Sequence, residues 1–326
     1  MIHSTLLQVV GNTPLVKIDL DVPARVYAKL EYLNPSGSVK DRSALYLIEE
    51  AERTGTLRAG GTIIEASSGN QGIAAAMIGA VKGYRVIITV SEKSSTEKVQ
   101  AIRAYGAQVI VCPAVSFITD HHSYQSTAWR IHKQTPNSIM LNQYFNVSNR
   151  DAYYYTLGPE LWKQTNGSIT HFFAAAGSGG TITGVGRYLK EQNPTIKICG
   201  IDCATSYRST QGNPQPYKLE GIGVDFDSPV IDYQYIDKMV TVTDNDALIV
   251  LKKLARQGFL LGPASGAAAW GVLSHADQLS DTDVVVVIFT DSGRAYLTKQ
   301  FYDVKHSEEL NVQPMQSPEE KGIQKI

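Results

Sequence analysis

The chain has 326 residues, and its 30 lysines and arginines against 31 aspartates and glutamates give a formal net charge of −1. This balance argues against a general nucleic-acid binder, which needs a basic surface. Hydrophobic residues make up 43% of the chain and charged residues 19%, values typical of globular proteins, and the length suggests about two domains.

Membrane, secreted and disulfide-rich classes are not indicated. No apolar run reaches the roughly 18 residues of a membrane span, and the N-terminus lacks the basic residue that precedes the apolar core of a secretory signal. Three cysteines, Cys112, Cys199 and Cys203, are too few for a disulfide framework and favour a reducing, cytoplasmic compartment. We expect Cys199 and Cys203 to be buried thiols, with no metal site.

Short apolar segments alternate with longer helical ones along the chain. Strands are predicted at residues 26–30, 62–66, 85–90, 108–112, 171–176, 196–202, 239–243 and 284–289, and helices at 72–81, 96–105, 180–190 and 244–256. Apolar strands separated by helices are typical of parallel sheets that are covered on both faces. The predicted fold class is therefore α/β.

Two domains are predicted, at residues 1–145 and 146–305, with residues 1–35 free to pack on the second domain. Residues 306–326 contain two prolines and few apolar residues, so we expect a weakly ordered tail.

A glycine loop at residues 177–181 is the strongest local signal. Gly177-Ser178-Gly179-Gly180-Thr181 follows a predicted strand and precedes a predicted helix. Glycines let backbone N–H groups converge, and the helix N-terminus adds a positive dipole, so the loop can hold one phosphate group. It matches neither the Walker A nor the dinucleotide-binding fingerprint, and the alternative is an ordinary tight turn.

A second strand–loop–helix segment spans residues 63–74, and its loop, residues 67–71, is called the serine loop below. Ser67, Ser68 and Asn70 could hold a carboxylate there; the alternative is a simple helix cap. Lys40 follows a glycine turn at the beginning of another predicted helix, although a lone lysine is usually a solvated surface residue.

Together, eight segments resemble the fold-type II pyridoxal-phosphate enzymes, in the family's order, and most closely the cysteine synthase and cystathionine β-synthase family. They are GNTPL (11–15), KLEYLNPSGSVKDR (29–42), SSGNQG (67–72), NQY (142–144), GSGGTITG (177–184), EGIG (220–223), GPASGAA (262–268) and TDSGRAYLTK (290–299). The resemblance implies the tryptophan synthase β-like fold, with two open twisted, mostly parallel sheets covered by helices. Residues 49–57, 128–138 and 142–149 are most similar to the catalytic core of cystathionine β-synthase.

The resemblance implies roles for the matching residues. Lys40 matches the lysine that forms the Schiff base with pyridoxal 5'-phosphate and moves the substrate α-proton. Asn70 matches the amide that binds the cofactor's ring hydroxyl, and Ser292 the residue that faces its pyridine nitrogen. The implied phosphate-binding residues are Gly177, Ser178, Gly179, Gly180 and Thr181. The implied substrate-binding residues are Ser67, Ser68, Gln71, Gln143, Gly221, Ile222 and Gly223. The first domain would thus carry the lysine and the carboxylate-binding loop, and the second the phosphate-binding loop.

The implied activity is β-replacement on serine or an O-activated serine through an aminoacrylate intermediate, with homocysteine as the thiol nucleophile and cystathionine as the product. Cysteine synthase activity with O-acetylserine and sulfide is an alternative, as is a β-substituted alanine synthase of the diaminopropionate or cyanoalanine type. Several positions depart from the family pattern and leave donor and nucleophile open, namely Ser67, Gln71, Val224, Pro263 and Ala264. The resemblance further implies a homodimer without haem.

Two hypotheses from other classes compete with this one. A catalytically silent relative could act as a binding partner, but Lys40, Asn70, the glycine loop and Ser292 are all retained. A nucleotide-binding α/β protein could use the glycine loop for a nucleotide phosphate, and it would need no role for Lys40.

Overall fold

The computed structural model describes residues 2–67, 69–115 and 118–303. Within these ranges the strands are β1 (Leu15–Ile18), β2 (Arg25–Leu30), β3 (Thr62–Ala66), β4 (Arg85–Ser91), β5 (Gln108–Cys112), β6 (Ser138–Met140), β7 (His171–Ala175), β8 (Lys197–Cys203), β9 (Lys238–Val242) and β10 (Val284–Phe289). The α-helices are α1 (Lys40–Arg53), α2 (Asn70–Lys82), α3 (Thr96–Ala104), α4 (Tyr124–Gln134), α5 (Ser148–Tyr155), α6 (Leu157–Gln164), α7 (Gly180–Gln192), α8 (Asp244–Arg256) and α9 (Pro263–Leu273). Short 3-10 helices lie at Leu6–Val9, Glu31–Leu33, Tyr233–Tyr235, Ala276–Gln278 and Gly293–Lys299.

The described strands form two sheets. One has six strands in the order β1-β2-β10-β7-β8-β9, in which β1 runs antiparallel to β2 and the other neighbours are parallel. The other has four parallel strands in the order β5-β4-β3-β6. The predicted fold class, α/β with two mostly parallel sheets flanked by helices, is confirmed.

Burial explains which strands the sequence predicts. All six residues of β10 are buried, because this strand lies between β2 and β7 and both of its faces are covered. Such continuous apolar segments are easy to recognise. The sequence analysis missed β1, a four-residue edge strand with a single buried residue, and β6, which has three residues and one of them buried.

The first two strands belong to the six-stranded sheet. β2 pairs in parallel with β10, from Arg25 opposite Val284 to Leu30 opposite Phe289, so residues near both ends of the described chain share one sheet. The four-stranded sheet lies wholly within residues 62–140. The domain boundary at residue 145 stays a prediction, and the predicted tail at 306–326 lies outside the described residues.

The loops that follow β3 and β7 come from different sheets, β3 from the four-stranded sheet and β7 from the six-stranded one. Parallel strands place their carboxyl ends at one edge of a sheet, where α/β proteins bind ligands. The serine loop follows β3 and the glycine loop follows β7, while α1 begins at Lys40. Among the helices of the described ranges, none is both long and apolar enough to cross a membrane.

Candidate active site

One cavity brings together most of the residues singled out in the sequence. Its volume is about 690 Å³. The predicted site residues that line it are Lys40, Ser67, Asn70, Gln71, Gln143, Gly177, Ser178, Gly221, Ile222 and Gly223. A small recess, which shares Lys40, Gly177, Ser178 and Gly221 with the cavity, is also lined by Gly179 and Thr181. Gly180 and Ser292 line neither space, and Ser68 lies outside the described residues.

Lys40 lies where the cavity and the recess meet. It is the first residue of α1, it is half-buried, and its backbone N–H donates to Ser38 Oγ at 3.2 Å. None of the ion pairs between described residues involves its Nζ. An amine without a counterion, facing a cavity, is available as a nucleophile and as a base.

Buried charges fix the first turn of α1. Arg42 donates to Glu31 Oε2 at 2.7 Å and to Glu160 Oε2 at 2.9 Å, and its side chain is almost completely buried. The backbone N–H of Ser36 donates to Asp41 at 2.7 Å, and burial raises the pKa of this aspartate to about 6. Because both residues that follow Lys40 are anchored in this way, the start of α1 is held against the segment that follows β2.

Close backbone approaches shape the glycine loop. Gly179 has a φ of +94°, and a Cβ there would lie 2.6 Å from the Cβ of Ile231. A Cβ on Gly177 would lie 2.9 Å from the carbonyl oxygen of Gly221, and one on Gly180 would lie 2.5 Å from Asn149 Oδ1. Only glycine satisfies these constraints. The loop therefore presents backbone N–H groups at the N-terminus of α7, an arrangement that suits an anion.

Asn70 is held by a buried acid. Its Nδ2 donates to Asp291 Oδ2 at 2.7 Å, and the hydroxyl of Tyr296 donates to the same oxygen. Burial raises the pKa of Asp291, and its Oδ1 has no partner among the described residues. Since Nδ2 of Asn70 is engaged, its carbonyl oxygen is the atom left to accept a hydrogen bond from a hydroxyl group.

Ser292, next to Asp291, is a helix-capping residue. Its side chain accepts a hydrogen bond from the Arg294 N–H and caps the 3-10 helix Gly293–Lys299. The structure does not bring it to the cavity, where the sequence analysis expects it to face a pyridine nitrogen. That role stays a prediction.

The serine loop uses side chains that have partners on other elements. Ser67 Oγ accepts the N–H groups of Gly69 and Gly72 at 3.2 and 3.1 Å, so it caps α2 from the inside of the cavity. Gln71 is almost fully buried, and its Oε1 accepts from Ser43 Oγ at 2.9 Å. Its Nε2 has no partner among the described residues, so a donor is left for a ligand.

Gln143 is positioned by a glutamate that the sequence analysis missed. Glu65, on β3, is buried and accepts the N–H of Asn142 at 2.7 Å, next to Gln143. Burial raises the pKa of Glu65 to about 8. Asn149 joins this turn to the glycine loop, because its Nδ2 lies 2.6 Å from the Gln143 carbonyl oxygen and 3.2 Å from Ser178 Oγ.

Lys98 is another cavity residue without a motif of its own. Its Nζ lies 2.6 Å from Glu220 Oε2 and 4.0 Å from the centre of the Tyr296 ring, and the residue is buried. On α3 it looks like an ordinary surface lysine in the sequence, since its partner is 122 residues away. The acid in EGIG was the available signal, because Glu220 is half-buried and a carboxylate partly removed from water is usually paired with a cation.

The described ranges contain no group of three or more His, Cys, Asp or Glu side chains that could hold a metal ion. Cys112, Cys199 and Cys203 are free and buried, as predicted for Cys199 and Cys203.

Comparison with known proteins gives a consistent result. A family model described as "Pyridoxal-phosphate dependent enzyme" matches residues 6–291. The chain is 42% identical to the cystathionine beta-synthase of Apis mellifera over 304 residues, which cover 90% of this chain and 60% of that relative. It therefore spans about three fifths of the relative's length.

Two relatives match over nearly their whole length. The O-acetylserine dependent cystathionine beta-synthase of Bacillus subtilis (strain 168) is 38% identical, over 91% of this chain and 97% of the relative. The crystal structure of O-acetylserine dependent cystathionine beta-synthase from Helicobacter pylori superposes with a TM-score of 0.87 at 39% identity, covering 93% of this chain and 99% of that one.

Proposed function

This chain belongs to the family of pyridoxal-phosphate dependent enzymes, and we propose that within it the protein catalyses β-replacement on serine or an O-activated serine. The entering nucleophile that we propose first is the thiol of homocysteine, which gives cystathionine. The observation that carries this proposal is the position of Lys40, an amine without a counterion at the junction of the glycine loop and the serine loop.

The residues around the cavity fit the cofactor of the family. Close packing around the glycine loop leaves no room for a Cβ on Gly177, Gly179 or Gly180. Lys40 lines both the recess at this loop and the cavity. Lys40 would bind the cofactor covalently, residues 177–181 would hold its phosphate, and the Asn70 carbonyl would accept its ring hydroxyl. When bound, the cofactor would supply an electron sink for the negative charge that forms at the substrate α-carbon.

The side chains of this protein would then bind the amino acid and move its proton. The Nε2 of Gln71 and the amide of Gln143 would donate to the substrate carboxylate, aided by the N-terminus of α2. Lys40 Nζ would take the α-proton and return one at the end of the cycle. The Lys98–Glu220 ion pair joins α3 to the 220–223 segment and would limit the entry of water.

Cellular setting and assembly are part of the same proposal. We propose that the protein is a cytoplasmic homodimer, that its substrates are small amino acids and that it binds no haem. The three free, buried cysteines support a reducing compartment.

The experiment is a visible absorbance spectrum after incubation with pyridoxal phosphate, followed by borohydride reduction and peptide mapping. We expect a yellow band and a modified Lys40. Lys40→Ala should lose the band and lower turnover at least roughly 1,000-fold, whereas Lys17→Ala, at an exposed lysine of β1, should change neither. A protein that stays colourless would contradict the proposed function.

Serine or O-acetylserine, and then homocysteine or sulfide, are added to the yellow protein, and the product is identified by mass spectrometry. Cystathionine is the expected product. Cysteine, diaminopropionate or cyanoalanine, each formed with its own nucleophile, would identify the alternative activities.

A further inference from the structure

An acidic side chain lines the outer part of the cavity and takes no part in the steps described so far. Asp225 follows the 220–223 segment and lines the same cavity as Lys40. Three half-buried tyrosines line the cavity with it, namely Tyr124, Tyr144 and Tyr217. Tyr217 packs against Gly223, where a Cβ would lie 3.1 Å from its ring. Asp225 is thus the carboxylate of an aromatic-walled compartment.

The charge of Asp225 contributes to the raised pKa values of the three tyrosines. Burial and then the charge of Asp225 raise the pKa of Tyr217 well above its ordinary value. Burial is also the main cause that raises the pKa of Tyr124 to about 12 and the pKa of Tyr144, with Asp225 contributing to both. All three hydroxyl groups therefore stay protonated near neutral pH.

The cavity is lined by charged side chains of both signs. Asp225 enters no ion pair with the described residues, and neither does Lys93, a second cavity residue. Lys98 and Glu220, by contrast, neutralise each other at 2.6 Å. Asp225 shares a side-chain hydrogen bond with Tyr217 but has no cationic partner among the described residues. Lys40 and Lys93 have no anionic partner there, so the cavity offers groups that complement the ammonium and carboxylate of a zwitterion. Sulfide carries neither group.

We propose that Asp225 binds the α-ammonium group of the second substrate, which is therefore an amino-acid thiol rather than sulfide. A cation is stabilised by a carboxylate and by the faces of neighbouring aromatic rings. The same carboxylate repels the hydrosulfide anion and so favours the amino acid over the smaller nucleophile. This inference rests on the proposed β-replacement, because it assigns a place to the nucleophile of that reaction.

The test compares three nucleophiles: homocysteine, 4-mercaptobutyrate, which lacks the α-ammonium group, and sulfide. In the unchanged protein, homocysteine should have the lower KM of the two organic thiols. Asp225→Asn should raise the KM for homocysteine at least roughly 10-fold, while kcat changes little. The KM for 4-mercaptobutyrate should stay the same, and the KM for sulfide should stay the same or fall.

Two further variants control for structural damage. Asp227→Asn removes an exposed acid two residues away that does not line the cavity, and it should change no KM. Asp225→Glu keeps the charge and should retain part of the preference for homocysteine.

Equal effects of Asp225→Asn on all three nucleophiles would overturn the inference and assign Asp225 to general structure or proton transfer. The donor half-reaction, followed by the visible spectrum without any thiol, separates this failure from that of the proposed function. A spectrum that does not change with any serine derivative overturns both. A normal change with donor, accompanied by equal losses for all nucleophiles, overturns only the assignment of Asp225.

Discussion

The glycine loop and the serine loop face the same lysine but are built by different means. The glycine loop is shaped by backbone, with positions at which a Cβ would collide with Gly221, Ile231 or Asn149. The serine loop is shaped by side chains, since Asn70 is held by Asp291 and Gln71 by Ser43.

The difference follows from the ligands we propose for each loop. A phosphate group is the same in every cofactor molecule, and converging N–H groups suit it whatever the substrate is. A substrate pocket that depends on hydrogen-bonded side chains can change with a single substitution. Gln71, where the family pattern has another residue, lies in the side-chain-built loop, as this division would require.

The strongest test of the comparison is Gly179→Ala. Its φ of +94° and the contact with Ile231 should together cost about 3 kcal/mol and weaken cofactor binding at least roughly 10-fold. Gly83→Ala is the matched control, because its φ is +75° but nothing lies within 4 Å, and it should cost about 1 kcal/mol. Urea unfolding and cofactor titration measure both effects. Equal losses in the two variants would mean that the loop is not set by close packing.

Glu65→Gln tests whether the buried Glu65 carboxyl, next to Gln143 on the substrate side of the cavity, is protonated in the folded protein. Burial raises the pKa of Glu65 from 4.5 to about 8, so the folded protein binds a proton that the unfolded chain releases. This contribution to stability is complete below pH 4.5 and is lost as the pH rises through 8. Between pH 5 and pH 7, the free energy of unfolding of the unchanged protein should therefore fall by about 2 kcal/mol more than that of Glu65→Gln.

Unfolding free energies at several pH values measure this difference. Glu49→Gln, at an exposed glutamate of α1, should leave the pH dependence as it is. Parallel curves for the unchanged protein and Glu65→Gln would contradict a protonated Glu65.

The smallest expected effect belongs to Ser43→Ala. Without this hydroxyl the Gln71 amide is free to rotate, and the KM for the amino-acid donor should rise roughly 5-fold, a loss of about 1 kcal/mol. Cofactor affinity should fall less than donor affinity, because Ser43 reaches the glycine loop only through Tyr153, whose hydroxyl donates to Ser43 Oγ at 3.2 Å and whose ring packs near Gly180. Ser274→Ala, which removes a hydroxyl bonded to the Gly271 carbonyl at the end of α9, is the control. An equal loss of cofactor affinity would contradict the independence of the two loops.

Sequence patterns predicted those parts of the fold that are determined locally. The bounds of β3, β5 and β10 agree with the prediction, as do those of α8, which begins after the capping residue Thr243. β1 and β6 were missed because strands of four and three residues with one buried position carry almost no pattern. Their places are set by neighbours in the sheet rather than by their own residues.

The same distinction holds in the site. Lys40, Asn70 and the glycine loop stand in recognisable local segments, and the structure gathers them around one cavity. Lys98 and Asp291 were missed because their partners are 122 and 221 residues away. Ser292 lines neither the cavity nor the recess, and its role at the pyridine nitrogen stays a prediction.

The pairing of β2 with β10 also has a consequence for the order in which the protein assembles. The four-stranded sheet needs only residues 62–140, so it can form early while the chain is still being synthesised. β2 must wait for β10, more than two hundred residues later, before it acquires its parallel neighbour. Helix α1, with Lys40 at its start, connects the strand that waits to the sheet that forms first. The ribosome therefore releases nearly the entire described chain before Lys40 can acquire its final surroundings.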